Sequence, residues 1–353
     1  MGDNKILLGI LCNETDDDHL IWVKACEDFA DKTEYHLISF TGPFWLEEIK
    51  ARPYDIFLAK PSGISSAFKQ LYDERIHIME GMGMKIYPSP QEIYIYENKR
   101  YFYSWAAAHQ LPHPKTHVFY SSKEAIGFAK TAAYPFVAKT NIGASGSGVK
   151  ILQSEKDALQ YIQDCFSGKG APKRWGPNKE KGMWIQRVLR YVLHPSEIRK
   201  KLTIYHRRKA DSQKGFVIFQ DYVPHEFEWR AVAIGDSYFA HKKLKMGEKA
   251  SGSLLKKYDN PPVKLLDFTK SIMDKHGFYS QAIDILETTS GDYLINEMQC
   301  IFGQSDPYQM LVDGKPGRYR FINEEWVFEE GDFNTNASYD LRLKHILDLL
   351  KRV

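Results

Sequence analysis

The stretch Pro135–Val149 reads PFVAKTNIGASGSGV, an apolar run that ends in Lys139 and opens into a loop with glycines at 143, 146 and 148 and serines at 145 and 147. An extended run can plant a lysine at a fixed point. A loop without bulky side chains lets backbone N–H groups approach anionic oxygens, so the pair suits phosphate binding. The spacing excludes G-x-x-x-x-G-K-[ST] and G-x-G-x-x-G. The same composition suits an ordinary turn, and the loop alone does not separate the two.

A second group lies far along the chain. Gln281–Glu287 and Asp292–Met298 read as two strands around Thr288-Thr289-Ser290-Gly291. If Glu287 faces Asp292 in a tight hairpin, Asp284 lies across from Ile295. Asp284, Glu297 and Gln299 then emerge on one face, because residues two apart on a strand share a side. Two carboxylates and a carboxamide there suit Mg²⁺, which takes hard oxygen ligands and completes its shell with water and phosphate. A solvated charged face is the alternative.

The elements that must position these groups follow from periodicity. Residues 5–90 alternate strand-like and helix-like pieces: strands at Lys5–Cys12, Tyr35–Phe40, Tyr54–Lys60 and Lys85–Tyr87, helices at His19–Asp31, Phe44–Lys50 and Ser65–Met82. That rhythm predicts a parallel sheet flanked by helices, with Asn13 and Lys60-Pro61-Ser62 at carboxyl ends of strands, where ligands tend to bind. Glu92–Gln110 reads as one helix, stopped by Pro112 and Pro114. His117–Tyr120 is a strand and Ser122–Ala132 a helix, capped by Ser121 or Ser122. Lys150–Leu152 returns as a strand before the helix Glu155–Phe166. Gly215–Val223, Glu226–Ile234 and Tyr238–Leu244 are strand-like, the last two joined at Gly235-Asp236. Lys245–Lys257 reads as a loop, Pro262–His276 and about Tyr339–Arg352 as helices.

The 353 residues allow two or three domains, and 43% apolar with 26% charged residues describe a globular protein. No apolar run approaches the roughly 20 residues of a membrane span. Ile6–Cys12 lacks the length and flanks of a secretory signal. Cys12, Cys26, Cys165 and Cys300 form no C-x-x-C pair, which fits reduced thiols in the cytoplasm; Cys300 reads as buried packing. The net charge is only +3, yet residues 169–214 hold fourteen lysines and arginines against three acids, an excess of eleven. Such segregation bears on partners more than on fold. Within it, Trp184–Leu193 is a candidate amphipathic helix. A large anionic partner is expected there: an acidic glycan or a membrane-surface substrate. Nucleic acid ranks below both, because the aromatics show no stacking pattern. A solvated loop is the plain alternative.

The ordered set of these pieces resembles the ATP-grasp superfamily over roughly Glu92 to Gly303. The resemblance implies that Lys99 and Lys139 contact nucleotide phosphates, and that Gly143, Ser145, Gly146, Ser147 and Gly148 form the flexible glycine loop. It implies that Phe219, Gln220, Asp221, Tyr222 and Val223 form the hinge strand whose backbone reads adenine, and that Glu228 holds the ribose. Arg230 and Lys243 would stabilise the transferring phosphoryl group, while Asp284, Glu297 and Gln299 would hold Mg²⁺ or Mn²⁺. Gln299 replaces the usual asparagine, Gln220 stands where an acid is common, and the gap from Gly148 to the hinge, filled by the basic segment, exceeds what relatives need.

The fold class implied is α/β: an N-terminal parallel αβ domain (1–91), then two ATP-grasp lobes gripping ATP. The small lobe would span 92–223, with the basic insertion 169–214, and the large lobe 224–353. The activity implied is an ATP- and Mg²⁺-dependent, ADP-forming ligase that joins a carboxylate to an amine or thiol through an acyl phosphate. A kinase acting on a hydroxyl and a non-catalytic nucleotide- or polyanion-binding protein stay open beside it. Small-molecule carboxylate and amine substrates, a homodimer, and a cytoplasmic location, peripheral at the inner membrane face if the basic segment binds lipid, complete the expectation.

Overall fold

The computed structural model describes residues 5–13, 17–61, 63, 65–143, 148–171, 211, 213–246, 249–250, 255–304 and 306–351. Ser145, Gly146, Ser147 and nearly all of the basic segment, with its candidate helix 184–193, lie outside them.

The first layer is a parallel sheet of β1 (Ile6–Cys12), β2 (Thr33–Ser39), β3 (Ile56–Leu58) and β4 (Ile86–Tyr87), in the order β2-β1-β3-β4. Its connections carry α1 (Leu20–Asp28), α2 (Trp45–Lys50) and α3 (Ser66–Gly81). Ser65 caps α3 by accepting from the Phe68 N–H. The same helix end receives Asp211, whose Oδ2 accepts from Ser66 N at 2.9 Å. The core under this sheet also takes in Tyr339, Leu343 and Ile346 of the last helix, α9 (Tyr339–Lys351). The chain's end thus packs against its beginning.

The predicted helix Glu92–Gln110 is two helices, α4 (Pro90–Ile95) and α5 (Lys99–Ala108). Glu97 has φ 49°, and Asn98 caps α5 by accepting from the Tyr101 N–H. A capping asparagine after a left-handed residue starts a helix rather than continuing one.

The small antiparallel sheet has the order β5-β8-β6-β7, with β5 Thr116–Phe119, β6 Phe136–Lys139, β7 Val149–Leu152 and β8 Val217–Asp221. Two helices, α6 (Ser122–Thr131) and α7 (Glu155–Phe166), cover one side and bury Phe136, Ala138, Leu152, Val217 and Phe219.

The large antiparallel sheet runs β14-β13-β9-β10-β16-β15, built from β9 (Phe227–Ile234), β10 (Ser237–Met246), β13 (Ser280–Glu287), β14 (Tyr293–Gln299), β15 (Leu311–Val312) and β16 (Lys315–Ile322). The predicted loop Lys245–Lys257 contributes β11 (Lys249–Ala250) and β12 (Lys256–Lys257), which pair back onto β10, and β17 (Glu325–Glu330) pairs with β16. Helix α8 (Val263–His276) lies on the apolar face over Trp229, Ala231, Ile283 and Ile285 and ends at Gly277, φ 60°.

The hairpin register differs from the tight-turn reading. Glu287 faces Tyr293 and Ile285 faces Ile295, but the register then slips so that Asp284 faces Glu297. Asn296 is the extra residue of a β-bulge. Strict alternation would have set Ile295 and Glu297 on the same face. The bulge sends Ile295 into the apolar core and leaves Glu297 beside Asp284.

Candidate active site

The large sheet positions its charged groups by register. Glu297 of β14 is the Cα partner of Asp284, Asp284 of Arg230, and Arg230 of His241, one residue from each of four adjacent strands. One step along, Glu228 partners Lys243 and Lys243 partners Lys256. These rows share a face because paired residues point the same way.

Arg230 grips Asp284 with two prongs, Nε to Oδ1 at 2.9 Å and Nη2 to Oδ2 at 3.0 Å. Lys243 Nζ donates to Asp284 Oδ2 and to Glu228 Oε2, each at 2.7 Å. Burial raises the Asp284 pKa, but the cations of Arg230 and Lys243 outweigh it and hold the carboxyl well below the usual range. Glu297 is likewise lowered: burial opposes ionisation, and Lys99 overcomes it.

The second wall comes from the small lobe and α5. Lys99 opens α5, whose first N–H groups are received by Asn141: Lys99 N donates to its backbone O at 3.2 Å and Arg100 N to its Oδ1 at 2.8 Å. The Lys99 ammonium stands 3.1 Å from Glu297 Oε1 and 3.4 Å from the Gly143 carbonyl. Burial lowers its pKa, yet Glu297 and Glu97 carry it above the ordinary lysine value. Lys139, at the end of β6, donates to the Tyr103 hydroxyl and to Asn296 Oδ1, each at 2.7 Å. Burial and the nearby Lys99 bring its pKa down to about 7. Asn296 Nδ2 in turn donates to Glu228 Oε1 at 3.0 Å.

The structure therefore brings together Lys99, Lys139, Glu228, Arg230, Lys243, Asp284 and Glu297. Gly143 joins them, its N–H donating to Glu97 Oε2 at 3.1 Å. Gly148 sits where a Cβ would overlap the Thr140 hydroxyl. Gln299 lies opposite Ala282, two residues beyond Glu297. The hinge expectation narrows. Phe219 and Gln220 are paired on both sides within β8, Gln220 Nε2 donates to Thr116 Oγ1 at 2.9 Å, and Asp221 N donates to the Lys115 carbonyl at 2.9 Å. A central strand spends its backbone on its neighbours, and of the five hinge residues only Tyr222 and Val223 lie beyond the ladder.

Tyr103, Asn141, Asn296, His241 and Lys256 were missed by sequence reasoning. Tyr103 could have been found, since it lies one helical turn from Lys99. His241 Nδ1 pairs with the Gln309 carbonyl at 3.0 Å, and its Nε2 is buried with no hydrogen-bond partner among the described residues. Burial and Arg230 lower its pKa to about 3.

Among the described residues no three His, Cys, Asp or Glu side chains converge as a metal cage. Mg²⁺ asks for less, commonly one or two carboxylates completed by water and substrate phosphates. Asp284 and Glu297, cross-strand partners with Glu297 one-quarter exposed, fit that requirement. No described helix is long and apolar enough to cross a membrane.

No protein-family model and no curated protein matches the sequence. Solved structures do match its fold. D-alanine–D-alanine ligase from Bacillus anthracis complexed with ATP superposes with a TM-score of 0.54 at 11% identity, over 99% of this chain and 98% of that one. Carboxyaminoimidazole ribonucleotide synthase from Aspergillus clavatus complexed with ATP gives 0.56 at 11%, over 98% and 77%. N5-carboxyaminoimidazole ribonucleotide synthetase from Thermotoga maritima gives 0.53 at 12%, over 97% and 76%. The fold expected from the ordered motifs is the fold found.

Proposed function

We propose that this chain of ATP-grasp fold is an ATP- and Mg²⁺-dependent ligase that activates a carboxylate as an acyl phosphate and joins it to an amine or thiol, releasing ADP and phosphate. One observation carries the reading: the Glu297–Asp284–Arg230 row of one lobe faces Lys99 and Lys139 of the other. Carboxylates that suit a metal and cations that suit phosphates meet at one place between the two sheets, and among the described residues the group contains no serine or cysteine. That is the equipment of electrostatic phosphoryl transfer rather than of a covalent protein intermediate. Two of the three solved enzymes are complexed with ATP and one of these is a D-alanine–D-alanine ligase, which supports an ATP-dependent ligase.

In this reading Lys99 and Lys139 clamp the phosphates under the loop Gly143–Gly148, and Tyr222 and Val223 meet the base beside Gln220 and Asp221. Glu228 lies toward the ribose. Asp284 and Glu297, with Gln299 behind them, would hold Mg²⁺, which when bound neutralises charge on the γ-phosphoryl group. The substrate carboxylate attacks that phosphorus as the bond to ADP breaks, and Arg230 and Lys243 stabilise the charge on the transferring oxygens. The amine then attacks the acyl carbon, and inorganic phosphate leaves. Both steps depend on the two lobes holding the reactants in line. The proposed domains 1–91, 92–223 and 224–353 hold one sheet each, and the basic stretch 169–214 is assigned to the anionic part of the acceptor.

The test is product analysis with Mg·ATP across a panel of carboxylates and amines. Label passing from an oxygen-labelled carboxylate into the released phosphate supports the acyl phosphate. ADP accompanied by a phosphorylated alcohol, with no label in phosphate, replaces the ligase by a kinase.

A further inference from the structure

The carboxylate oxygens of the inner acidic pair are all in use. Asp284 gives Oδ1 to Arg230 and Oδ2 to both Arg230 and Lys243; Glu228 gives Oε2 to Lys243 and Oε1 to Asn296. Glu297 differs. Its Oε1 meets Lys99 at 3.1 Å, while Oε2 takes no hydrogen bond among the described residues, and the side chain is one-quarter exposed.

Lys243 is itself buried, and its ammonium stands 2.7 Å from one oxygen of Glu228 and 2.7 Å from one of Asp284. A cation equidistant from two buried carboxylates does what a metal ion would do there: it compensates charges that could not otherwise stay ionised out of water. The two basic partners of Asp284 are not equivalent. Arg230 is fixed by its two-pronged contact. Lys243 is a point charge on a flexible stem and can leave without rotating a plane of donors.

We infer that Lys243 is a placeholder cation: it fills the position between Glu228 and Asp284 while nucleotide is absent and moves to a phosphate when nucleotide arrives, opening Asp284 to the divalent ion only then. The inference rests on the reading of Asp284 and Glu297 as the metal-holding pair. Its consequence is that metal and nucleotide each strengthen the other's binding through one side chain, and by linkage the factor is the same in both directions. Without nucleotide, an arriving ion finds one open oxygen, on Glu297, and a lysine already seated between Asp284 and Glu228.

The experiment is a Mn²⁺ titration followed by electron paramagnetic resonance on nucleotide-free protein, using wild type, Lys243→Met and the double variant Lys243→Met/Glu228→Gln. Removing the ammonium leaves Arg230 as the one described partner of Asp284 Oδ2, with room on that oxygen for an ion. Both variants should bind Mn²⁺ about tenfold or more tightly than wild type, because each carboxylate added to a hard-cation site raises its affinity. The factor by which ADP strengthens Mn²⁺ binding should shrink correspondingly. Lys243→Met alone leaves a buried acid uncompensated, which endangers folding; the double variant removes one negative charge with the positive one and keeps the test available. Nucleotide-free affinities equal to wild type in both overturn the placeholder role. Glu297→Gln separates the two readings. If it fails to weaken Mn²⁺ binding in the presence of ADP, the metal pair is misassigned. If it does weaken it while the Lys243 variants show no tightening, only the role of Lys243 falls.

Discussion

Lys139 of β6 donates to the side-chain carbonyl of Asn296 on β14 at 2.7 Å, joining the small sheet to the bulge of the β13–β14 hairpin. With Tyr103 as its other partner, this buried lysine has only neutral groups within hydrogen-bond reach among the described residues. Burial, then the charge of Lys99, holds its pKa down to about 7. A bound phosphate would restore the charged form, so nucleotide binding should take up a proton near neutral pH. ATP affinity should fall as pH rises above about 7, since the free lysine must then first be protonated. Calorimetry in buffers of differing ionisation enthalpy measures the uptake. It should vanish in Lys139→Arg, whose guanidinium stays charged throughout; equal uptake in both proteins would contradict the assignment.

Glu297→Ala and Lys139→Ala should each lower ATP turnover by about a hundredfold or more, the usual scale for losing one group that stabilises transferring charge. Thermal melts should stay cooperative, because both side chains line the cleft rather than a core cluster. Wild-type turnover in either variant would remove that residue from the site.

Glu92 should make stability pH-dependent. Its fully buried carboxyl accepts from Ser89 N at 2.8 Å and Ser280 N at 2.7 Å, and burial still pushes its pKa up to about 7. A carboxyl with a raised folded pKa binds its proton more tightly folded than unfolded. Its contribution is therefore complete below the unfolded value of 4.5 and is lost as pH rises through about 7. The difference amounts to about 3 kcal/mol at roughly 1.4 kcal/mol per pKa unit. Urea unfolding from about pH 5 to about pH 8 should show that decline in wild type and not in Glu92→Gln. Parallel curves would refute it.

Gly148→Ala should destabilise the protein by about 1–3 kcal/mol through overpacking. The new Cβ overlaps the Thr140 hydroxyl, which donates to the Ile142 carbonyl at 3.0 Å, while Thr140 N donates to the Gly148 carbonyl at 2.8 Å. Adding Thr140→Ala makes room, so the double variant should recover part of the loss. An additive, larger loss would show that the clash is not with this side chain.

The basic segment should bind its partner electrostatically. Replacing Arg199, Lys200, Lys201, Arg207, Arg208 and Lys209 by Gln should weaken binding to anionic vesicles or acidic glycans and flatten its salt dependence. Nucleotide affinity should be unchanged. Binding that is absent before and after the change would make the segment a solvated loop.

The local pattern was enough for the order and type of most elements. Alternation marks the first sheet, Ser65 and Ser121 mark helix starts, and Gly235-Asp236 marks a hairpin turn. The residues of the candidate site were also legible: lysines, a glycine loop and an ordered set of acids survive as letters whatever the fold does with them. Some signal went unused. Asp313-Gly314 and Asn323-Glu324, all at positive φ, turn β15 into β16 and β16 into β17. The break at Tyr96-Glu97-Asn98 was marked by a capping asparagine within a run that otherwise reads as helical.

Tertiary structure alone decided who faces whom. The bulge at Asn296 depends on β13 also being held in register by β9, and a single slipped residue reverses the face of everything beyond it. The row from Glu297 to His241 exists because β9 lies between β13 and β10, a pairing between strands about fifty residues apart that no local periodicity encodes. The charge states follow from the same packing. Lys139 and Lys99 are the same amino acid at the same site, yet burial and the charge of Lys99 bring the pKa of the first down, while Glu297 and Glu97 carry that of the second up against burial. Residue type sets what a side chain can do; burial and the partner across the cleft, both products of long-range contact, set which of those things it does.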